Sequence, residues 1–255
     1  MKPLKWYQSL SSTKGRRQER CFLIEGHRAV SQTIASHADA VREVLCLDEH
    51  RGAYAQFPTR TITRQQLREI TAMSTPQGVA AVVTLPEDVY TPRLPSSPGD
   101  LIVFLDDVQD PGNIGTVIRT AAAFGFSGIL LSEGCADPFA VKSVQSSAGT
   151  VLSVWIRRTA SFRDLLAFLK EQGYELTGLD AGGQRVLSIM KKCAQRVICL
   201  GNEAHGITAE TAALLTETYR IPINRDHAES LNVSVSAAIG MYSAVQQRID
   251  LKNNF

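Results

Sequence analysis

Leu101–Phe124 reads LIVFLDDVQDPGNIGTVIRTAAAF. Leu101–Leu105 is apolar throughout, which predicts a strand covered on both faces rather than one with a wet side. Asp110-Pro111-Gly112 then turns the chain, and Ile114–Phe124 carries apolar residues at helical spacing. Asn113 stands where a helix N-cap belongs, so capping is one reading of it. The other follows from position. Loops leaving the carboxyl ends of strands in an open α/β sheet are where small ligands bind.

Two later segments repeat this strand-to-turn grammar. Leu200–Ile207 (LGNEAHGI) leaves the apolar run Val197–Leu200 straight into a turn. Gly201 there lets a backbone or a flat ligand approach closely. No Lys-Ser/Thr follows, so this is not a Walker A loop, and G-x-G-x-x-G is absent from the chain. Ile221–Ser236 (IPINRDHAESLNVSVS) begins with a proline that cannot donate to a sheet ladder. It then passes through Glu229-Ser230-Leu231-Asn232 into a helix of small residues, with Ser230 or Asn232 available to cap it. Three such loops in one half of the chain imply one shared pocket, and so an enzyme rather than a passive module.

The pattern extends in both directions. Expected strands are Leu101–Leu105, Ile129–Leu131, Val151–Ile156, Glu175–Leu179, Val197–Leu200 and Tyr219–Ile223. Expected helices are Ile114–Phe124, Ala140–Ser147, Ser161–Glu171, Thr208–Thr216 and Val233–Arg248. This alternation predicts an α/β domain over residues 100–255 with a mostly parallel sheet and helices on both faces. Thr91–Gly99 (TPRLPSSPG) reads as a linker. Residues 1–90 predict a smaller α/β domain, with strands at Cys21–Ile24, Val41–Leu47 and Val79–Leu85 and helices at His27–Ser36 and Gln65–Met73.

Composition narrows the function classes. The chain has 255 residues, 44% hydrophobic and 20% charged, as in ordinary globular proteins. No apolar run approaches membrane-spanning length, and the N-terminus lacks a signal-peptide core. Five cysteines without CxxC spacing argue against a disulfide framework or zinc site and for a reducing cytoplasm. His205 and His227 have no ligand spacing around them, so no metal is expected. Net charge is only +2, yet residues 1–30 hold seven Lys/Arg against Glu19 and Glu25. Lys14, Arg16, Arg17 and Arg28 are candidates to follow a phosphate backbone; the competing reading is a solvated arm.

Together the three loops resemble the TrmH/SpoU branch of the SPOUT methyltransferases. The resemblance rests on Asn113, Gly115 and Arg119 in NIGTVIRTAAAFG, Gly201, Asn202, Glu203 and Gly206 in GNEAHGI, and Ile221-Pro222 with SLNVSVSAA. Phe22–Gly26 (FLIEG) looks like the family's substrate-binding domain. The resemblance implies a trefoil knot, S-adenosylmethionine as cofactor, a structured RNA substrate (rRNA ahead of tRNA), methylation of a ribose 2′-hydroxyl, and a homodimer. It casts Asn113, Arg119, Glu203, Ser230 and Asn232 as catalytic, and Leu200, Gly201, Asn202, Gly206, Ile221 and Leu231 as cofactor-binding. One departure stands out: the spacer Ile223–Glu229 has no glycine and is one residue longer than the family pattern. A non-catalytic RNA-binding protein that keeps the knotted fold is the alternative; the intact polar set weighs against it. A Rossmann-type oxidoreductase lacks its glycine fingerprint.

Overall fold

The computed structural model describes residues 2–71 and 75–253. In chain order it contains α1 (Leu4–Ser9), α2 (Thr13–Glu19), β1 (Cys21–Glu25), α3 (His27–His37), β2 (Val41–Cys46), β3 (Thr59–Thr61), α4 (Arg64–Ile70) and β4 (Val79–Thr84). There follow β5 (Leu101–Leu105), α5 (Pro111–Ala123), β6 (Gly128–Ser132), α6 (Val141–Ser147), β7 (Trp155–Thr159), α7 (Phe162–Glu171) and β8 (Glu175–Leu179). The chain closes with β9 (Arg185–Val186), β10 (Arg196–Leu200), α8 (Ala209–Ala212), β11 (Glu217–Arg220) and α9 (Val233–Asn253). Two compact units result. One is Met1–Glu87 with Asp137–Ser153; the other is Asp88–Ala136 with Val154–Phe255.

The second unit is built on a seven-stranded sheet, among the described residues, in the order β7-β6-β5-β10-β8-β11-β9. Every neighbouring pair in it is parallel. Alternate side chains point to opposite faces. Ile102, Phe104, Leu176, Val197 and Cys199 therefore share one face, which Leu166 and Leu169 of α7 cover. The opposite face carries Leu179 and Ile198, and α9 lies on it. A Cβ at Gly240 would stand 2.3 Å from Leu179 Cδ1 and 3.6 Å from Ile198 Cγ2, so the small residues of α9 serve close helix-to-sheet packing within the chain.

Several expected elements shift, each for a local reason. The strand expected at Val151–Ile156 runs instead over Trp155–Thr159. Trp155 pairs with Gly128, whose missing side chain leaves room for the indole: a Cβ there would stand 1.8 Å from the ring. The strand expected at Tyr219–Ile223 ends at Arg220, before Pro222. The helix expected at Thr208–Thr216 stops after one turn, because Thr216 N donates to Leu176 O at 2.8 Å and draws the chain into the sheet. The helix expected at Gln65–Met73 ends at Ile70, with Met73 outside the described residues. Thr91–Gly99 is no free linker: Trp155 Nε1 donates to Pro98 O, Arg157 Nε to Arg93 O and Tyr174 Oη to Gly99 O.

The first unit holds a four-stranded sheet, among the described residues, ordered β1-β4-β2-β3. β1, β4 and β2 are antiparallel, and β3 runs parallel to β2. Its N-terminal segment is not a solvated arm. Tyr7 and Leu10 are buried against Cys21, Leu23, Leu45 and Val82; each such burial stabilises by about 1.5–3 kcal/mol. Asp137–Ser153, expected in the larger domain, belongs here: Phe139 packs on Phe22 with ring centroids 4.8 Å apart, and Gln145 Nε2 donates to Glu25 Oε2 at 3.1 Å.

Arg16 corrects the sequence reading. Its side chain is only 2% exposed and is spent inside the unit, donating to Asp137 Oδ2 at 2.6 Å and to the carbonyls of Leu10 and Ser11. It cannot track an RNA backbone. Lys14, Arg17 and Arg28 remain exposed. Burial pushes the Asp137 carboxyl up, but the Arg16 guanidinium, helped by the Phe139 amide, reverses this and holds it below the usual carboxylate range. A depressed folded-state pKa gives stability that is fully present above the unfolded value of about 3.9 and lost as pH falls through the folded one. Arg16→Ala removes the guanidinium from beside a buried carboxylate and is expected to cost about 3–5 kcal/mol in urea unfolding at neutral pH. Below about pH 4 that difference should shrink.

Candidate active site

The strand order decides where the loops meet. β5, β10, β8 and β11 are consecutive parallel neighbours, so the segments after Leu105, Leu200, Leu179 and Arg220 leave the same edge of the sheet. The first is set under strain: Asp107 is a non-glycine residue at φ +57°, held by its N–H to Ser132 Oγ at 2.9 Å. Asp106 is buried and accepts from both the amide and the hydroxyl of Thr208, at 3.0 and 2.7 Å. That carboxylate fastens the first loop to the end of the second.

The second loop is a closed turn. Asn202 and Gly206 exchange two backbone hydrogen bonds, of 3.0 and 2.8 Å. The Asn202 side chain donates to Asp107 O at 2.8 Å and accepts from Ala204 N at 2.8 Å, so it shapes the loop. A Cβ at Gly201 would stand 2.0–2.2 Å from Gly206 C and O and Ile207 N. Only glycine fits there.

Asn113 is not the N-cap. Asp110 caps α5, accepting from Gly112 N at 2.5 Å, with Pro111 starting the helix. Asn113 is thereby freed at the third helical position. Its Nδ2 donates to Glu203 Oε1 at 2.5 Å, and its Oδ1 accepts from Asn232 Nδ2 at 3.1 Å. Asn232, not Ser230, makes the capping bonds of α9: its Oδ1 accepts from Ser234 N at 2.9 Å and Ser234 Oγ at 2.6 Å. Each amide is orientated by its neighbour, from the α9 backbone to the carboxylate.

Beside this network lies a cavity of about 310 Å³. Leu200, Gly201, Asn202, Gly206, Ile221 and Leu231 all line it, as do Glu203 and Ser230. Arg119 does not. It is exposed on α5, six residues beyond Asn113 and so roughly 9 Å further along the helix axis. His205 lines the cavity, and His227 sits in an exposed turn. Among the described residues no three His, Cys, Asp or Glu side chains could hold a metal. The sequence reading missed one wall, made by Leu179, Asp180 and Ala181 after β8. Its signal was present: LTGLDAGG is another apolar strand ending in an Asp and Gly turn.

A parallel sheet with a half-apolar cavity and convergent carboxamide and carboxylate groups at its carboxyl edge defines a cofactor-using α/β enzyme. The chain belongs to the SpoU rRNA methylase family, whose family model matches residues 100–242. Residues 2–81 match the MRM3-like substrate binding domain. The chain is 32% identical to the 23S rRNA (guanosine(2553)-2′-O)-methyltransferase RlmP of Bacillus subtilis (strain 168), over 94% of each chain. It superposes on the SpoU methyltransferase AviRb from Streptomyces viridochromogenes in complex with AdoMet with a TM-score of 0.82, at 27% identity over 96% of this chain and 97% of that one. An AdoMet-bound rRNA methyltransferase from Sinorhizobium meliloti gives 0.82 at 26% identity, covering 95% and 94%.

Gly201→Ala tests the cradle. The added methyl meets backbone on every side, and overpacking of this kind costs about 1–3 kcal/mol. A lowered melting temperature is expected, with cofactor binding lost in calorimetry; an unshifted melt would mean the loop moves freely.

Proposed function

We propose that this protein methylates a ribose 2′-hydroxyl in structured RNA, with rRNA the favoured substrate and tRNA the lesser one. The observation that carries this is the Asn232–Asn113–Glu203 chain beside a glycine-cradled cavity, in a chain of the SpoU family. S-adenosylmethionine fits that cavity in kind. Apolar walls (Leu200, Ile221, Leu231) and close backbone at Gly201 suit a neutral purine, which is recognised by shape and amide groups. When bound, it supplies a methyl group activated by a sulfonium.

The chain's own residues then have one task, to hold the ribose oxygen at a fixed point of attack. Such positioning can supply about 7–11 kcal/mol of the barrier. Asn113 and Asn232 have fixed amide orientations and set that geometry, with Glu203 locking Asn113 and Ser230 at the cavity wall. A guanidinium stays protonated in proteins and is a poor base. Arg119, exposed at the end of a long side chain, grips the RNA phosphate and stabilises the oxyanion as it forms. Lys14, Arg17 and Arg28 on the first unit guide the RNA.

The family's knot and its homodimer belong to the same reading. Val235 and Tyr242 on α9 are large apolar residues left about half exposed, which suits burial against a second copy. The five cysteines, four of them buried, suit a reducing cytoplasm. The test is incubation with S-adenosylmethionine and rRNA, followed by mass spectrometry of 2′-O-methylated nucleosides. Arg119→Ala should lower turnover about 100- to 1000-fold, like loss of an oxyanion donor, while leaving cofactor affinity nearly intact. Turnover within threefold of wild type would remove Arg119 from its role. No methylated ribose from the wild-type protein on rRNA or tRNA would favour the non-catalytic alternative.

A further inference from the structure

The wall that the three loops leave out carries a carboxylate already built to receive a ligand. Asp180 follows β8, and its backbone N–H donates to Tyr219 O at 3.0 Å. Asp180-Ala181-Gly182-Gly183 is a tight turn: Asp180 O accepts from Gly183 N at 3.0 Å, and Asp180 Oδ1 accepts from Gly182 N at 2.7 Å. Gly183 is required, since a Cβ there would stand 2.4–2.7 Å from Tyr219 and Arg220 backbone. The carboxylate is thus fixed in rotation through Oδ1. Oδ2 is turned towards Gly206, 3.0 Å from where a Cβ would stand, and accepts no hydrogen bond among the described residues.

The departing spacer Ile223–Glu229 completes the wall. Arg225 Nη2 donates to Ala181 O at 2.5 Å, tying that spacer to the Asp180 turn without pairing with the carboxylate itself. Ile223 of the same spacer lines the cavity with Asp180 and Ala181. The spacer thus delivers an arginine that ties it to the turn.

We infer that Asp180 accepts a hydrogen bond from a ribose hydroxyl of the adenosine moiety, through Oδ2. This rests on the S-adenosylmethionine reading and deepens it. Topology selects the sugar over the amino-acid end. β8 lies between β10 and β11, whose loops carry the cavity-lining Gly201, Ile221 and Leu231 that suit the purine, whereas Asn113, on the helix that follows β5, lies beyond β10. A fixed carboxylate beyond a strand end is a general solution for a ribose diol in parallel α/β sheets.

Asp180→Asn keeps an oxygen for Gly182 N and replaces the Oδ2 acceptor by an NH2 donor. The probes are S-adenosylmethionine, S-adenosylhomocysteine and 5′-methylthioadenosine, which keeps the adenosine but lacks the amino-acid end. Calorimetry should show all three weakened by the same factor, about 10- to 100-fold for a hydrogen bond to a charged group. In the wild-type protein, 2′,3′-dideoxy-5′-methylthioadenosine should lose a similar factor, and Asp180→Asn should add little to that loss. Weakening confined to the two probes with an amino-acid end overturns the ribose assignment, as does unchanged binding of all three. Wild-type protein that binds none of the probes overturns the cofactor reading itself, and the assignment with it.

Discussion

Everything at the candidate site depends on β10 lying between β5 and β8. Roughly ninety residues separate Leu105 from Arg196, yet the two strands are paired in register from Leu101 and Arg196 onward. Closing a loop of that length costs about 4 kcal/mol in chain entropy before any contact forms. The buried apolar residues on both faces of β5 and β10 offset that cost many times over. Once the pair forms, Asp106 N donates to Leu200 O at 2.8 Å, extending the pairing past the end of β5. The first and second loops are thereby joined before any polar side chain is considered.

The polar network builds on that frame. Exposed hydrogen bonds between carboxamides contribute little to stability, on the order of 1 kcal/mol each. Their value is orientation. Asn232 is held by the α9 amides it caps, Asn113 by Asn232, and Glu203 by Asn113. A residue that looks like an N-cap in sequence is more useful one turn inward, because Asp110 takes the capping role and leaves the Asn113 amide facing another loop. Asp106 does the opposite. It is buried, and its Oδ2 accepts from both the amide and the hydroxyl of Thr208, a structural role.

How much of this was legible in the sequence depended on the range of the determining interaction. β5 begins and ends where its apolar run does, because a strand covered on both faces announces itself residue by residue. The three loops were legible for a related reason: Gly, Pro and Asn at strand ends mark turns locally. The start of β7 was not, since its register is set by the Trp155 ring over Gly128, a contact between elements. The short α8 was cut back by a backbone bond to Leu176, again a distant partner. Asp180 is legible in sequence only as a strand end entering a turn, since Asp and Gly there mark a turn and not a ligand.

Arg16 shows why charge is the least local of these signals. In sequence it sits between Lys14 and Arg17 and shares their surface expectation. In the fold it is buried while they are exposed, because Asp137, far along the chain, provides a carboxylate within the same unit. Removing a guanidinium from water costs several kcal/mol, and only a partner of opposite charge with further hydrogen bonds can recover it. Arg16 has both, through Asp137 and the carbonyls of Leu10 and Ser11. A basic cluster therefore identifies candidates for phosphate contact, but burial decides which of them keep their charge available. Arg225 is the converse case at the other end of the chain, an exposed guanidinium that donates to the backbone carbonyl of Ala181. There the guanidinium, itself exposed, serves to fix a turn at the cavity wall.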